Sequence, residues 1–117
     1  GIHADFKTEL TMERYSNTIE NSFYRITKEL INNTLKHAQA KKIHIELSEL
    51  GQFLTLKYVD DGIGFDQKIT TRSRETGMGL SNIISRAKSL DGKYEFDTSP
   101  GGGFKFSITI PISQSLE

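Results

Sequence analysis

The period of the apolar residues changes near residue 40, and this change constrains the fold more than any other feature. Before it, apolar side chains recur at steps of mostly three or four, as on one face of a helix. The pattern predicts a long helix from Ser16 to about Ala38, with Ser16 or Asn17 as N-cap and Glu20 in the first turn. The predicted buried face consists of Ile19, Phe23, Ile26, Leu30 and Leu35.

Beyond residue 40, apolar and polar side chains alternate, which predicts strands with one buried face. A second helical pattern, from Leu80 to Leu90, interrupts these strands. Consecutive hairpins beside helices favour an α+β sandwich, with helices on one face of a mostly antiparallel sheet. The predicted strands are 2–6 at an edge, 42–50, 54–59, 94–96 and 104–110, the last of them ended by Pro111.

The composition excludes several classes of function. The 117 residues suit a single domain, 1–117. Lys plus Arg equals Asp plus Glu at 15 each, which argues against a broad nucleic-acid-binding surface. The absence of cysteine excludes disulfides, thiol catalysis and thiolate metal sites. No apolar run approaches the ~20 residues of a membrane span, and we expect a cytoplasmic domain.

One edge of the long helix carries groups that suit a metal ion and phosphate. Glu29 and Asn33 stack one turn apart, and Lys36 shares roughly the same edge. A carboxylate, an amide oxygen and an ammonium group along one stripe suit Mg²⁺ and phosphate oxygens. The alternative is a solvated helical face. Asn32 and Asn33 favour a site, because asparagine is a poor helix former placed here deep inside a helical pattern.

Two acids and two glycines end the first predicted hairpin, in the stretch DDGIG. The carboxylate of Asp60 at a strand end can accept a hydrogen bond from an exocyclic amine such as that of adenine. Gly62 and Gly64 carry no side chains, so that a flat ring can lie against the backbone. The alternative for this segment is a simple turn.

Glycines recur at two further places along the chain. Residues 66–76 contain almost no apolar side chains and predict a long loop. Gly77 and Gly79 follow it and open the second helix at Leu80, where free N–H groups can bind an anion. The glycines of Gly101–Gly103 predict a hairpin turn that also has room to line a pocket.

In their order and spacing, these four motifs resemble the N, G1, G2 and G3 boxes of the GHKL ATP-binding superfamily. That superfamily includes histidine kinases, gyrase-type topoisomerases, mismatch-repair ATPases and a heat-shock chaperone. The resemblance covers about residues 17–111, and the string from Tyr24 to Ile43 is most similar to the catalytic domain of sensor histidine kinases with short ATP lids, like the nitrate-sensor kinases. It implies the Bergerat fold, a two-layer α+β sandwich with a mixed, mostly antiparallel five-stranded sheet and about three helices on one face.

The resemblance also implies a role for each motif residue. Asn33 would bind Mg²⁺ with Glu29 beside it, Lys36 would approach the phosphates, and Asp60 would accept the adenine amine. Phe104 departs from the family, which usually has a small hydroxyl residue after the last glycines. The remaining implied contacts are His37 near the ribose or adenine, Gly62 and Gly64 under the base, 66–76 as the ATP lid, Gly77, Gly79 and Leu80 at the phosphates, and Gly101 and Gly103 beside the pocket.

The implied function is that of a protein-histidine kinase domain. It would bind Mg-ATP and pass the γ-phosphoryl group to a histidine on a separate dimerisation domain, which then phosphorylates a response regulator. His3, His37 and His44 precede Ala, Ala and Ile rather than an acid, so we expect the acceptor domain to lie outside this chain. We expect the chain alone to be a monomer that does not autophosphorylate and contacts neither nucleic acid nor a membrane.

Three alternatives to the histidine kinase stay open at this point. An anti-sigma-type serine protein kinase shares the implied fold and phosphorylates serine on a partner protein. A hydrolytic GHKL ATPase would use Glu29 to activate water. A noncatalytic module would hold nucleotide without transferring phosphate.

Overall fold

The computed structural model describes residues 2–10, 15–63 and 80–112. Within these ranges the order of elements is strand, helix, two strands, helix and two strands, which confirms the predicted order. Two helices lie in the described ranges, and residues 64–79 lie outside them, so the expectation of about three helices is met in part. The elements are β1 (His3–Glu9), α1 (Asn17–Asn33), a π-helical segment (Thr34–Ala38), β2 (Lys42–Leu50), β3 (Phe53–Asp60), α2 (Leu80–Ser89), β4 (Lys93–Thr98) and β5 (Phe104–Pro111).

The five strands form one mixed sheet in the order β1-β2-β3-β5-β4. β1 runs parallel to β2, and every other neighbouring pair is antiparallel. A parallel pair needs a crossover connection, and α1 supplies it between β1 and β2. The sheet is therefore mixed and mostly antiparallel, as expected, and β1 lies at an edge.

Both helices pack on the same face of the sheet. The buried side of α1 and two residues of α2, Ile83 and Ala87, join the inward residues of β2, β3 and β5 in one apolar core. On the opposite face, Lys7, Glu46 and Lys57 lie side by side across β1, β2 and β3, with alternating charge. A polar outer face and an apolar inner face give the two layers of an α+β sandwich.

The start of α1 is capped as predicted. Ser16 is the N-cap, and its Oγ accepts a hydrogen bond from the Ile19 N–H at 3.3 Å. The Glu20 carboxylate accepts a hydrogen bond from the Tyr15 N–H at 2.9 Å. The Ile19 N–H, which has no partner within the helix, is thus paired, and the Glu20 carboxylate holds the residue that precedes the cap.

The end of the long helix differs from the prediction. The last five residues, Thr34–Ala38, form a wider π-helical turn, and Gln39 ends it with a left-handed backbone at φ 51°. Leu35 was predicted to be buried and is 61 % exposed, whereas Thr34 is 2 % exposed. Thr34 lies four residues after Leu30 and occupies the next inward position, so Leu35 points away from the core.

The sheet register brings three chain segments to one end of the sandwich. Asp60 at the end of β3 lies opposite Ile43 near the start of β2 and opposite Phe104 at the start of β5. The end of α1 reaches the same place, because the side chain of Thr34 contacts Asp60. No helix in the described ranges is long and apolar enough to cross a membrane.

Candidate functional site

Asp60 is a carboxylate at a core position. Leu54, Leu56, Tyr58 and Asp60 all point to the helix side of β3, and Asp60 is only 4 % exposed. Burying a carboxylate is costly unless hydrogen bonds satisfy it. A charged group in a position where the strand pattern calls for an apolar one is typical of a site with a function other than packing.

Both oxygens of the Asp60 carboxylate accept hydrogen bonds from the protein. Thr34 Oγ1 donates to Oδ2 at 2.8 Å, and the Gly62 N–H donates to Oδ1 at 2.9 Å. A carboxylate offers about four lone-pair positions, so these two bonds fix its orientation and leave acceptor positions on it. The prediction that Asp60 lies at the end of a strand is confirmed.

Tyr58 connects Asp60 to the end of α1. Its hydroxyl lies within hydrogen-bond distance of Thr34 Oγ1 and donates toward the Leu30 carbonyl at 3.1 Å. Burial raises the pKa of Tyr58 to about 12; the hydrogen bond with Thr34 lowers the pKa and the negative charge of Asp60 raises it. Tyr58 therefore remains a neutral hydrogen-bond donor at every physiological pH.

The turn between β4 and β5 packs against the Asp60 segment. Gly103 is buried with φ +74°, and a Cβ on it would lie 2.6 Å from the Asp60 carbonyl oxygen. The Gly101 N–H donates to the Ile63 carbonyl at 2.5 Å. Only a residue without a side chain fits at Gly103, so the last glycine motif and the Asp60 motif are in direct contact.

Asp61, next to Asp60, has a different environment. It is exposed, and its Oδ1 accepts hydrogen bonds from the N–H groups of Lys41 at 2.8 Å and Lys42 at 2.9 Å. These bonds, that of Lys42 first, lower the pKa of the Asp61 carboxyl. Asp61 therefore ties β3 to the start of β2, and of the two acids only Asp60 belongs to the buried network.

Phe104, the departure from the family motif, is part of the core. It is 6 % exposed, and its ring meets that of Tyr58 edge to face, with the centroids 6.4 Å apart. Such aromatic pairs are worth about 0.5–1.5 kcal/mol beyond the area that they bury. In place of a small hydroxyl residue, this chain has a ring that holds Tyr58 in position.

The predicted phosphate-side residues lie along one edge of the long helix. Glu29 and Asn33 are half-buried in the last turns of α1, and Lys36 is exposed in the π-helical segment, where His37 also lies. Glu29 also lines a cavity of about 410 Å³ between α1 and α2. Its other lining residues are Tyr24, Arg25, Lys28, Asn32, Asn82, Ile83 and Arg86.

The donor atoms on this edge fit Mg²⁺ bound together with phosphate. Among the described residues no three His, Cys, Asp or Glu side chains cluster as a protein-only metal site. Mg²⁺ needs no such cluster, since it keeps several waters and binds through one or two protein oxygens plus substrate phosphates. The carboxylate of Glu29 and the amide oxygen of Asn33 are oxygen donors of this kind.

Several predicted site residues lie outside the described ranges. They are Gly64, Gly77, Gly79 and the predicted lid at 66–76. Leu80 is the first residue of α2, as predicted. The contacts expected of the other residues stay predictions.

The site contains two residues that the sequence analysis did not assign to it. Tyr58 was predicted only as part of the buried strand face, and Thr34 was not singled out. A polar residue four positions after Leu30, inside an apolar stripe, was the available signal for Thr34. The π-helical turn had no such signal in the sequence.

Comparison with known proteins gives the family. The model of the histidine kinase-, DNA gyrase B- and HSP90-like ATPases, named HATPase_c, matches residues 18–114. The chain belongs to this ATPase family. The match extends over nearly the range, about 17–111, for which the motifs resemble the GHKL superfamily.

Relatives within the ATPase family include sensor kinases. The chain is 42 % identical over 91 residues to the sensor histidine kinase ComP of Bacillus subtilis. This match covers 78 % of this chain and 12 % of ComP. It is 34 % identical over 113 residues to the signal transduction histidine-protein kinase/phosphatase DegS of Brevibacillus brevis. This match covers 97 % of this chain and 28 % of DegS. The chain thus spans less than a third of the length of these relatives.

Solved structures of histidine kinases share the fold. The catalytic domain of histidine kinase ThkA superposes with a TM-score of 0.71 at 19 % identity, over 95 % of this chain and 79 % of that one. A blue-light activated histidine kinase of Erythrobacter litoralis superposes with a TM-score of 0.74 at 18 % identity, over 97 % of this chain and 36 % of that one. The predicted fold class, a two-layer Bergerat sandwich, is thereby confirmed.

Proposed function

We propose that this chain is the ATP-binding catalytic domain of a two-component sensor histidine kinase. It binds Mg-ATP and passes the γ-phosphoryl group to a histidine on a separate dimerisation domain, which in turn phosphorylates a response regulator. One observation carries the proposal: a buried, hydrogen-bonded carboxylate, Asp60, is joined through Thr34 to the helix end that carries Asn33. The names of the curated relatives support the same reading.

The base end of the site selects adenine. The remaining acceptor positions of Asp60 receive a hydrogen bond from the 6-amino group, and the backbone at Gly62 provides a thin floor. Gly103 keeps a side chain out of the space behind the Asp60 carbonyl. A site built to hydrogen-bond an amino group discriminates strongly against a ligand without it, because its buried polar atoms would be left unpaired.

The phosphate end positions the group that is transferred. Asn33 and Glu29 would supply oxygen ligands to a bound Mg²⁺, and Lys36 would bring a positive charge to the phosphates. The metal ion neutralises charge on the phosphate oxygens when it is bound. These side chains hold the triphosphate in line with an incoming nucleophile, which is how most phosphoryl-transfer sites achieve their rate.

The chemical step needs a nucleophile from another domain. An imidazole nitrogen of the acceptor histidine forms a bond to the γ-phosphorus, and the bond from that phosphorus to the β–γ bridging oxygen breaks. ADP leaves with the electron pair of the broken bond, and the acceptor histidine carries the phosphoryl group. This chain contributes binding, orientation and charge neutralisation, with no covalent intermediate of its own.

The direct test is a phosphotransfer assay on the full-length protein with ATP labelled at the γ-phosphate. We expect acid-labile, base-stable phosphohistidine, and Asn33→Ala and Asp60→Asn should reduce its formation strongly at ATP concentrations that do not saturate the site. Label on serine, or steady release of phosphate that Glu29→Gln abolishes, would replace the proposal by a serine kinase or a hydrolytic ATPase. Nucleotide binding with no transfer at all would leave a binding module.

A further inference from the structure

Three buried side chains form a continuous chain of hydrogen bonds at the base end of the site. Tyr58 is 0 % exposed, Thr34 2 % and Asp60 4 %. Thr34 Oγ1 lies between the other two, within hydrogen-bond distance of the Tyr58 hydroxyl and 2.8 Å from Asp60 Oδ2. Among the described residues no buried side-chain nitrogen or oxygen atom lacks a hydrogen-bond partner, so each link of this chain is in use.

The number of protons on these side chains gives the donor-to-acceptor direction of the hydrogen bonds. Thr34 Oγ1 donates to Asp60 Oδ2 at 2.8 Å, so the single hydroxyl proton of Thr34 points to Asp60. Thr34 Oγ1 can then only accept in its contact with the Tyr58 hydroxyl, whose single proton is shared between Thr34 Oγ1 and the Leu30 carbonyl oxygen. Tyr58 keeps its proton because burial raises its pKa to about 12. Hydrogen bonds that run in one direction strengthen one another.

This direction determines what Asp60 can recognise. A carboxylate whose two oxygens already accept from Thr34 and Gly62 is fixed in orientation, and its remaining lone pairs are acceptors for further hydrogen bonds. A 6-aminopurine presents a donor to it. A 6-oxopurine presents an oxygen, which the carboxylate repels unless it rotates away or takes up a proton.

We propose that Thr34 and Tyr58 are positioning residues that make Asp60 prefer a 6-aminopurine over a 6-oxopurine. The inference rests on the proposed function, since it concerns the same nucleotide site. Neither residue needs to touch the nucleotide. Both act by holding the carboxylate of Asp60 in one orientation.

The same two residues also fix the end of the long helix. The Tyr58 hydroxyl donates toward the Leu30 carbonyl at 3.1 Å, in the last turn of α1, and also contacts Thr34, the first residue of the π-helical segment. Tyr58 thus bridges the point at which the helix widens. π-helical turns are frequent at functional sites, and this one begins at Thr34, the residue that contacts Asp60.

The test uses two nucleotides that differ in the base only by their 6-substituent and the N1 proton that goes with it, ATP and ITP. Calorimetry with Mg²⁺ gives the ratio of their dissociation constants for the unaltered chain, Thr34→Val, Thr34→Ser and Tyr58→Phe. Valine keeps the shape of threonine without its hydroxyl, serine keeps the hydroxyl, and phenylalanine keeps the ring in the core. A merely structural role would weaken both nucleotides alike and leave the ratio unchanged.

We expect the preference for ATP over ITP to fall about tenfold in Thr34→Val. Tyr58→Phe removes a bond one step further away, and its preference should fall about threefold. Thr34→Ser should retain the preference. An unchanged ratio in Thr34→Val overturns the role of Thr34, and an unchanged ratio in Tyr58→Phe overturns that of Tyr58.

Two further outcomes separate this inference from the proposed function. If the unaltered chain shows no preference for ATP, both the proposed function and the inference fail. If it prefers ATP and the variants prefer it equally, only the inference fails. Should circular dichroism show that Thr34→Val is unfolded, the ratio in Tyr58→Phe decides.

Discussion

The two ends of the candidate site are built differently. At the base end, Asp60, Thr34 and Tyr58 are each at most 4 % exposed, and hydrogen bonds join them. At the phosphate end, Glu29 and Asn33 are half-buried and Lys36 is exposed along a helix edge.

The fold itself forms the base end, whereas the phosphate end is complete only when the ligand binds. The base end is pre-organised, because the core of the sandwich already fixes the orientation of its carboxylate. The phosphate end supplies charges and oxygen donors on a surface that water can reach. Substitutions at the base end should therefore affect stability as well as binding, and those at the phosphate end should affect binding alone.

The largest expected effect on stability is at the base end, in Gly103→Ala. The new Cβ would lie 2.6 Å from the Asp60 carbonyl oxygen, on a backbone at φ +74°. We expect a loss of about 3 kcal/mol in the free energy of unfolding, measured by urea denaturation.

Gly101→Ala is the matched control for that substitution. Gly101 has a similar backbone, at φ +78°, but a Cβ there would meet no atom within 4 Å. Gly101→Ala should lose only the free energy of unfolding that a side chain on a left-handed backbone costs, about 1–2 kcal/mol. Equal losses in the two variants would contradict the close packing of Gly103 against Asp60.

At the phosphate end, Asn33→Ala should weaken Mg-dependent ATP binding roughly tenfold or more by removing a metal-binding oxygen. The free energy of unfolding should change by less than about 1 kcal/mol, since alanine favours the helix. Calorimetry with Mg²⁺ and with EDTA measures the first quantity, and urea denaturation the second. Asn21→Ala, at an exposed position of the same helix, should leave both unchanged. Loss of binding in EDTA as well would place Asn33 elsewhere in the site.

The smallest effect is expected at Asp61, the acid beside the buried network. The N–H groups of Lys42 and Lys41 lower the pKa of the Asp61 carboxyl. Because this pKa is lower in the folded than in the unfolded state, its contribution to stability is present above the ordinary aspartate pKa and is lost as pH falls through the folded pKa. Asp61→Asn should therefore flatten the loss of stability in acid.

The comparison for that variant is Asp97→Asn, at an exposed position of β4. Thermal melts from neutral to acid pH should show a shallower acid limb for Asp61→Asn than for Asp97→Asn. If the two variants melt alike at every pH, the link that Asp61 makes between β3 and β2 does not contribute to stability.

Much of the fold could be predicted, because it depends on local patterns. The period of the apolar residues predicted α1 and the strands, and the capping residues predicted a start at Ser16 or Asn17, of which Ser16 is the N-cap. The alternation along β3 also indicates that Asp60 faces the core, since it shares the phase of Leu54, Leu56 and Tyr58. These signals lie within a few residues of the feature that they specify.

The rest of the site could not be predicted from local sequence patterns. The hydrogen bonds of Thr34 reach Tyr58 and Asp60, 24 and 26 residues further along the chain. Such contacts depend on how the helix packs on the sheet, which no local pattern encodes. The prediction that Leu35 is buried was wrong because Leu35 lies five residues after Leu30, a step that leaves the inward face of the helix, whereas Thr34, four residues after Leu30, stays on it.

The central claim is that Asp60 recognises the purine by accepting a hydrogen bond from its 6-amino group. Calorimetric titration of Asp60→Asn with Mg-ATP tests it most directly, with Asp61→Asn as the control for loss of a neighbouring charge. We predict that Asp60→Asn binds ATP at least about tenfold more weakly and loses its preference for ATP over ITP, while Asp61→Asn binds as the unaltered chain does. ATP binding by a folded Asp60→Asn with unchanged affinity would contradict the claim.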